Sequence, residues 1–317
     1  MVTAPSRRPT LMAVHAHPDD ESSQTGGTLA RYSAAGCRTV LVTCTDGGRG
    51  DGASDGGAGT TSSRVAAVRS AELAAAAVAL GVDEVIELGH PDSGMPEDPA
   101  TIAPEAFSRM DPGPVVRRLT RLMHAYRPDV VITYPPDGLS FHPDHIQAHR
   151  VTVDAFRQYR ASAARPTAAT AGTGPRLYYV AVSRTRLRAV RRRGESLLPP
   201  GSWLPPLEIA IDDAAVTTVV DVGEAWPRKV AALAAHRSQA DAAALHALFR
   251  VAGPDDRVEE FVLAVPAGAH MPGENDLFAG FPAPSPAPSP APSSRHFPSP
   301  RSTTATTSVD PPRPAAL

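Results

Sequence analysis

The sequence predicts an α/β fold, with helices on both faces of a mostly parallel sheet. Three observations carry that expectation. Short apolar runs recur at residues 11–16, 38–43, 85–88 and 130–134, as strands do when both faces of a sheet are covered. Segments of helical periodicity separate them, and such alternation implies parallel strands joined by right-handed crossovers. Loops rich in His, Asp and Gly follow these runs, at the carboxyl ends of strands where open α/β sheets collect ligands.

The first strand, residues 11–16, leads to a helix over residues 24–35 that carries Leu29, Ala30 and Tyr32 and stops near Gly36, a favourable residue past a helix end. Residues 38–43 form the second strand. A glycine- and aspartate-rich loop over residues 46–60 lies at the same strand end as the first His/Asp cluster. Ser62 or Ser63 caps an alanine-rich helix ending at Gly81. The third strand, 85–88, is followed by Gly89-His90-Pro91-Asp92-Ser93-Gly94. Pro114 starts a helix through Tyr126 with Val115, Leu119 and Leu122 on one face, and residues 130–134 supply the fourth strand.

This regular core takes residues 11–160, after a flexible segment at 1–10. Residues 161–174 read as a small-residue linker opening an α/β extension over 161–280. In it, strands at 177–182, 216–222 and 260–265 and a helix at 224–238 are expected to extend the sheet and wall a pocket. Residues 281–317 turn to Pro-Ala-Pro-Ser repeats, which bury too little apolar surface to fold and are expected to be disordered.

At 317 residues the chain is long enough for an ample core, and its formal net charge of −2 provides no global field for nucleic acid or anionic lipid. The basic run at residues 184–193 lacks interleaved aromatics and reads as a solvated helix face. No run approaches the ~18 apolar residues of a membrane span. Cys37 and Cys44 fall on or beside one strand, which disfavours a disulfide between them and fits a reducing compartment. With no apolar region behind the first arginines to form a secretory signal, the expected location is the cytoplasm. The expected partner is a small molecule, and homo-oligomers are compatible with all of this.

Two clusters carry the chemistry. His15-Ala16-His17-Pro18-Asp19-Asp20-Glu21 hands the first strand over to a helix, and Phe141-His142-Pro143-Asp144-His145 does the same after the fourth. Adjacent carboxylates repel unless positive charge lies near. A helix N-terminus supplies some of it, and a divalent cation far more. A zinc site with an open position takes three nitrogen or oxygen ligands. His17 and Asp20, three apart across a turn, and His145 from the neighbouring strand end are the candidate set. Asp19, between them, is placed as general base. His142 is placed to donate a proton or stabilise an oxyanion, and Asp144 to hold that imidazole in its charged form, a role compatible with capping the helix. Each cluster alone also reads as capping aspartates beside incidental histidines. Their pairing at matching junctions favours the metal. His15 reads as a buried histidine behind the ligands, and Glu21 as a structural carboxylate.

His-Pro-Asp-Asp-Glu near the N-terminus with a later His-Pro-Asp-His resembles the PIG-L/LmbE-like deacetylase family, and is most similar to members that act on mycothiol and its precursor. The likeness spans about residues 11–281. It implies a Rossmann-like three-layer fold, one catalytic zinc (Fe2+ in its place in some settings) and hydrolysis of an amide on an amino sugar. Position by position it implies His17, Asp20 and His145 as metal ligands, Asp19 as general base, His142 as general acid and Asp144 as the residue that tunes it. Arg69 and Asp92 resemble residues that hold sugar hydroxyls, and His236 falls in a helix typical of these enzymes. Ser140 stands where the precursor deacetylase has a tyrosine, Gln24 where the amidase has a lysine, and Gly48 where a glutamate is usual. These departures bear on the substrate and leave the metal residues intact. The expected activity is therefore zinc-dependent removal of an N-acyl group, most simply acetyl, from an amino sugar. Conjugate amidase cleavage of an acyl-cysteinyl glucosamine is the alternative. A non-hydrolytic nucleotide-binding protein is disfavoured because no Gly-x-Gly-x-x-Gly follows the first strand.

Overall fold

A computed structural model of the chain describes residues 7–51, 62–162, 174–265 and 274–281. The linker and the proline-rich tail expected from composition fall almost wholly outside the described residues, as do residues 1–6 and most of the 46–60 loop. In chain order the elements are β1 (Thr10–His15), α1 (Asp20–Gln24), α2 (Gly26–Ala34), β2 (Arg38–Thr45), α3 (Ser62–Leu80), β3 (Glu84–His90), α4 (Pro112–Tyr126), β4 (Val130–Thr133) and α5 (Pro143–Ser162). They continue with β5 (Arg176–Ala181), α6 (Arg184–Leu197), β6 (Thr218–Asp221), α7 (Trp226–Leu233), α8 (Ala240–Arg250) and β7 (Val258–Val265).

The seven strands form one sheet in the order β3-β2-β1-β4-β5-β7-β6. The first five run parallel, and β7 is antiparallel to both its neighbours. This is the mixed, largely parallel α/β arrangement expected. β1 lies inside the sheet between β2 and β4 with all six residues buried, which is why residues 11–14 are continuously apolar. Right-handed crossovers from β1 through β2 to β3 put α2 and α3 on one face, and those reaching β4 and β5 put α4 and α5 on the other. Strand order reverses between β1 and β4, and such a switch point opens a crevice at the carboxyl ends of the strands.

The expected helix at 24–35 is two helices, broken at Thr25 (φ −127°, ψ 7°), with the first beginning at Asp20 itself. The break lets α2 start on two glycines that approach the C-terminal extension closely. Gly27 N and Thr28 N donate to the Glu259 carboxylate at 2.9 and 2.8 Å, and Lys229 Nζ lies 2.5 Å from the same carboxylate. A Cβ on Gly27 would stand 2.6 Å from Val222 Cβ. Gly27→Ala is therefore expected to cost about 1–3 kcal/mol of stability, as overpacking usually does. Urea unfolding at unchanged m-value measures it, and a neutral result would mean that the extension does not press on α2.

The expected helix at 224–238 is shorter, ending at Leu233, and α8 follows it where none was expected. The basic run lies on α6, where Leu187 and Gly194 are the buried residues. Cys37 and Cys44 are buried free thiols. Among the described residues no helix is long and apolar enough to cross a membrane.

Candidate metal centre and active site

β1 and β4 are hydrogen-bonded neighbours, so the two His-Pro-Asp segments that follow them face one another. His17 Nδ1 lies 3.2 Å from His145 Nε2 and 3.3 Å from Asp20 Oδ2, and His145 Nε2 lies 3.4 Å from Asp20 Oδ2. Three donors about 3.3 Å apart are the face of a tetrahedron around a cation with ligand bonds of about 2.0–2.1 Å. The other nitrogen of each ring is already engaged. His17 Nε2 is 3.2 Å from Asp144 Oδ2, and His145 Nδ1 is 3.0 Å from the Gly138 carbonyl. Outer hydrogen bonds of this kind fix tautomer and ring direction at metal sites. The approach at Gly138 is close: its φ is +72°, and a Cβ there would sit 2.7 Å from His145 Cβ.

His142 also brings a ring nitrogen within 4.8 Å of His17 and His145, and a second grouping joins His17, Asp92, His142 and Asp144. The tighter triangle of His17, Asp20 and His145 has the spacing of shared coordination, and the wider groupings describe what surrounds it. The cluster is buried and compatible with a divalent cation. Burial alone would lower His17, but Asp144 and Asp20 raise it well above its usual value. Burial likewise opposes ionisation of Asp20, and His145 with His17 holds it well below the carboxylate range.

Asp19 sits at the turn with φ 122° and ψ −25°, a conformation costly for a residue with a side chain and typical of functional sites. Its amide donates to Glu21 Oε2 at 3.0 Å, and its Oδ2 accepts from Arg69 Nη2 at 2.9 Å. Burial pushes its carboxyl up to about 6, against the pull of Arg69. Arg69 is buried and also donates to the carbonyls of Pro18 and Gly47 at 2.6 and 3.0 Å, so its guanidinium spans the loops after β1 and β2. Asp92 accepts from Gly94 N at 2.7 Å and Arg49 N at 3.2 Å, and lies 3.7 Å from His17 Nε2.

His142 immediately precedes α5. Its Nδ1 accepts from the Asp144 amide at 3.1 Å, and its ring stands edge-on to His17 with centroids 4.5 Å apart. Burial, then the neighbouring His17 and His145, pushes its imidazole down to about 3. Here the geometry differs from the sequence expectation. The Asp144 carboxylate turns away from His142 to His17 Nε2 and to Ser93, accepting from Ser93 N at 2.9 Å and Ser93 Oγ at 2.5 Å. The cause is position: in the first turn of α5 the Asp144 amide points back at His142, which leaves the side chain to fill the crevice.

Two contributors, Tyr134 and Ser93, were not apparent from the sequence, and a third, His236, was singled out there only through the resemblance. Tyr134, fully buried, donates its hydroxyl to Asp20 Oδ2 at 2.7 Å, accepts from Ala16 N at 2.7 Å, and stacks on His145. Ser93 anchors Asp144. His236, 215 residues from Glu21 in the chain, pairs with it at 2.8 Å and so lies behind the turn. A tyrosine ending an apolar strand was the available signal for Tyr134, and nothing local signals Ser93. His15 bonds Thr25 Oγ1 at 2.9 Å and remains outside the donor set.

A buried His/Asp cluster suited to a divalent cation, at the switch point of an α/β sheet, is the arrangement of a metal-dependent enzyme. Residues 12–156 match the PIG-L family, described as GlcNAc-PI de-N-acetylase. The chain is 38% identical over 300 residues to the 1D-myo-inositol 2-acetamido-2-deoxy-alpha-D-glucopyranoside deacetylase of Rhodococcus erythropolis, covering 88% of this chain and 99% of the relative. The chain thus belongs to the PIG-L family and is a metal-dependent deacetylase. Among solved structures, N,N'-diacetylchitobiose deacetylase from Pyrococcus horikoshii shares the fold with a TM-score of 0.55 at 19% identity, over 81% of this chain and 84% of that one. GalB, the 4-carboxy-2-hydroxymuconate hydratase of Pseudomonas putida, matches with a TM-score of 0.55 at 20% identity, over 83% and 99%. Fold likeness therefore leaves the chemistry to the site.

Proposed function

We propose that the protein hydrolyses an N-acyl group, most simply acetyl, from the amine of an amino sugar in a small glycosylated molecule. His17, Asp20 and His145 hold zinc or iron(II) in this reading. The observation that carries it is the triangle of donor atoms 3.2–3.4 Å apart. A divalent cation held there supplies the Lewis acidity that makes water a nucleophile near neutral pH and polarises an amide carbonyl. Asp19 takes the proton from that water: its carboxyl is beside the ligands, outside the triangle, and raised towards neutrality, where a general base works best. Arg69 keeps its carboxylate in place. His142, neutral with its proton on the nitrogen opposite the Asp144 amide, donates that N–H as a hydrogen bond to the developing oxyanion, and the proton taken up by Asp19 passes to the departing amine. Asp144 orients His17. Asp92, on the crevice wall, is the candidate for a sugar hydroxyl, and the role of Arg69 in holding sugar is secondary to its bond with Asp19.

Primary-amine release from N-acetylglucosaminyl compounds tests this reading, with the protein as purified, after chelation and after return of Zn2+ or Fe2+. Activity is expected to vanish on chelation and return with metal. Release unaffected by chelation would refute the ligand assignment. Absence of release from every N-acetylated amino sugar would refute the substrate.

A further inference from the structure

Beside the donor set lies a cavity of about 430 Å³, the size of a small-ligand site. It begins at Gln24 and Ser140, whose side chains lie 3.1 Å from Asp20 Oδ1 and 3.3 Å from His145 Nδ1. From there it runs into the C-terminal extension between Leu187, Val190, Trp203, Trp226, Leu248 and Phe249. The buried charged side chains along it are matched within the protein, and Glu208, the remaining charged residue of the lining, is exposed to solvent. Lys229 pairs with Glu259 at 2.5 Å, and Glu260 accepts from Ser183 N and Oγ. Arg186 donates to the Asp256 carbonyl at 2.7 Å and has Glu259 and Glu260 to balance its charge. What remains for a ligand is mainly aliphatic and aromatic surface. A polyhydroxylated aglycone would leave hydroxyls there without partners, which is costly.

We propose that this cavity binds an apolar substituent of the substrate, an alkyl or aryl group attached to the amino sugar, so that the substrate is amphiphilic. The proposal rests on the amino-sugar reading above and adds the chemistry of what the sugar carries. Two aromatic side chains stand along it in contact with solvent: Trp203, 43% exposed, and Phe141, 54% exposed and held at φ 62° next to His142. The apolar group belongs either to the acyl chain or to the aglycone. Both would lay the same hydrocarbon against the same wall, and substrates can separate them.

Amine release is measured on methyl N-acetylglucosaminide, octyl N-acetylglucosaminide and methyl N-octanoylglucosaminide. One of the two octyl-bearing compounds is expected to show a KM at least about tenfold below the methyl N-acetyl compound, since each buried methylene is worth about fourfold. Which one does so identifies the source of the chain. Trp203→Ala and, separately, Val190→Asp should remove that gain while leaving kcat and KM for the methyl N-acetyl compound within about twofold. Both tryptophans of the chain line the cavity, so octyl glucoside below its micellar concentration should give a saturable blue shift of fluorescence and methyl glucoside none. Equal KM for all three compounds with no saturable shift overturns the proposal and leaves deacetylation standing. A shift without turnover of any compound supports the apolar site and removes the deacetylase reading.

Discussion

Asp19→Asn is expected to lower kcat/KM by about 10²–10⁴, the usual worth of a general base, while metal content stays at the wild-type level. Asparagine keeps the shape of the side chain and an oxygen for Arg69 Nη2, now 2.9 Å from Asp19 Oδ2. It is also among the residues that best tolerate positive φ, which matters at φ 122°. The substitution therefore removes the proton acceptor with little disturbance of the turn. His145→Ala makes the contrasting control. It deletes one corner of the donor triangle and leaves the Gly138 carbonyl without its imidazole partner, so metal and activity should be lost together. Elemental analysis beside amine release reads both. Loss of metal in Asp19→Asn would make Asp19 a ligand and leave the base unassigned, and a wild-type rate would remove it from the mechanism.

The parts of this site that were legible in the sequence are those fixed by local geometry. Strands buried on both faces have no polar positions to blur their ends, so β1, β2 and β4 lie within about two residues of the apolar runs that announce them. The motif residues follow those strands directly, and neighbouring parallel strands bring two such segments to one crevice. What local pattern does not encode is set by distant partners. The break at Thr25 exists because Gly26 and Gly27 must meet Lys229, Val222 and Glu259. The direction of the Asp144 carboxylate is chosen by Ser93, 51 residues earlier, and by His17, 127 residues earlier. The hydroxyl of Tyr134 reads as the end of an apolar run until Asp20 and the Ala16 amide are placed beside it. α8 is not announced by the sequence because its alanines carry little periodic signal and no N-cap side chain bonds its first turn.

His236→Ala is expected to be the most destabilising single change, at about 3–5 kcal/mol, the cost of removing one partner from a buried ion pair. Neither side chain of the His236–Glu21 pair is exposed to solvent. Burial alone would lower His236 and raise Glu21, yet each holds the other in its charged form, His236 raised and Glu21 lowered. With His236 gone, Glu21 Oε1 retains Ser22 Oγ and Oε2 retains the Asp19 amide, which is too little to solvate a buried carboxylate. Glu21→Gln combined with His236→Ala removes the charge as well as its partner, so the double variant should lose less than the sum of the singles. Urea unfolding of the two singles and the double variant measures this coupling, and additive losses would mean that the pair is not ionic. The same bond carries a functional consequence. Glu21 accepts the amide of the strained Asp19, so the C-terminal extension fixes the turn that presents the base, through a contact spanning 215 residues. kcat in His236→Ala should therefore fall even at temperatures where the variant remains folded, and metal content, governed by donors in the segments that follow β1 and β4, should fall less.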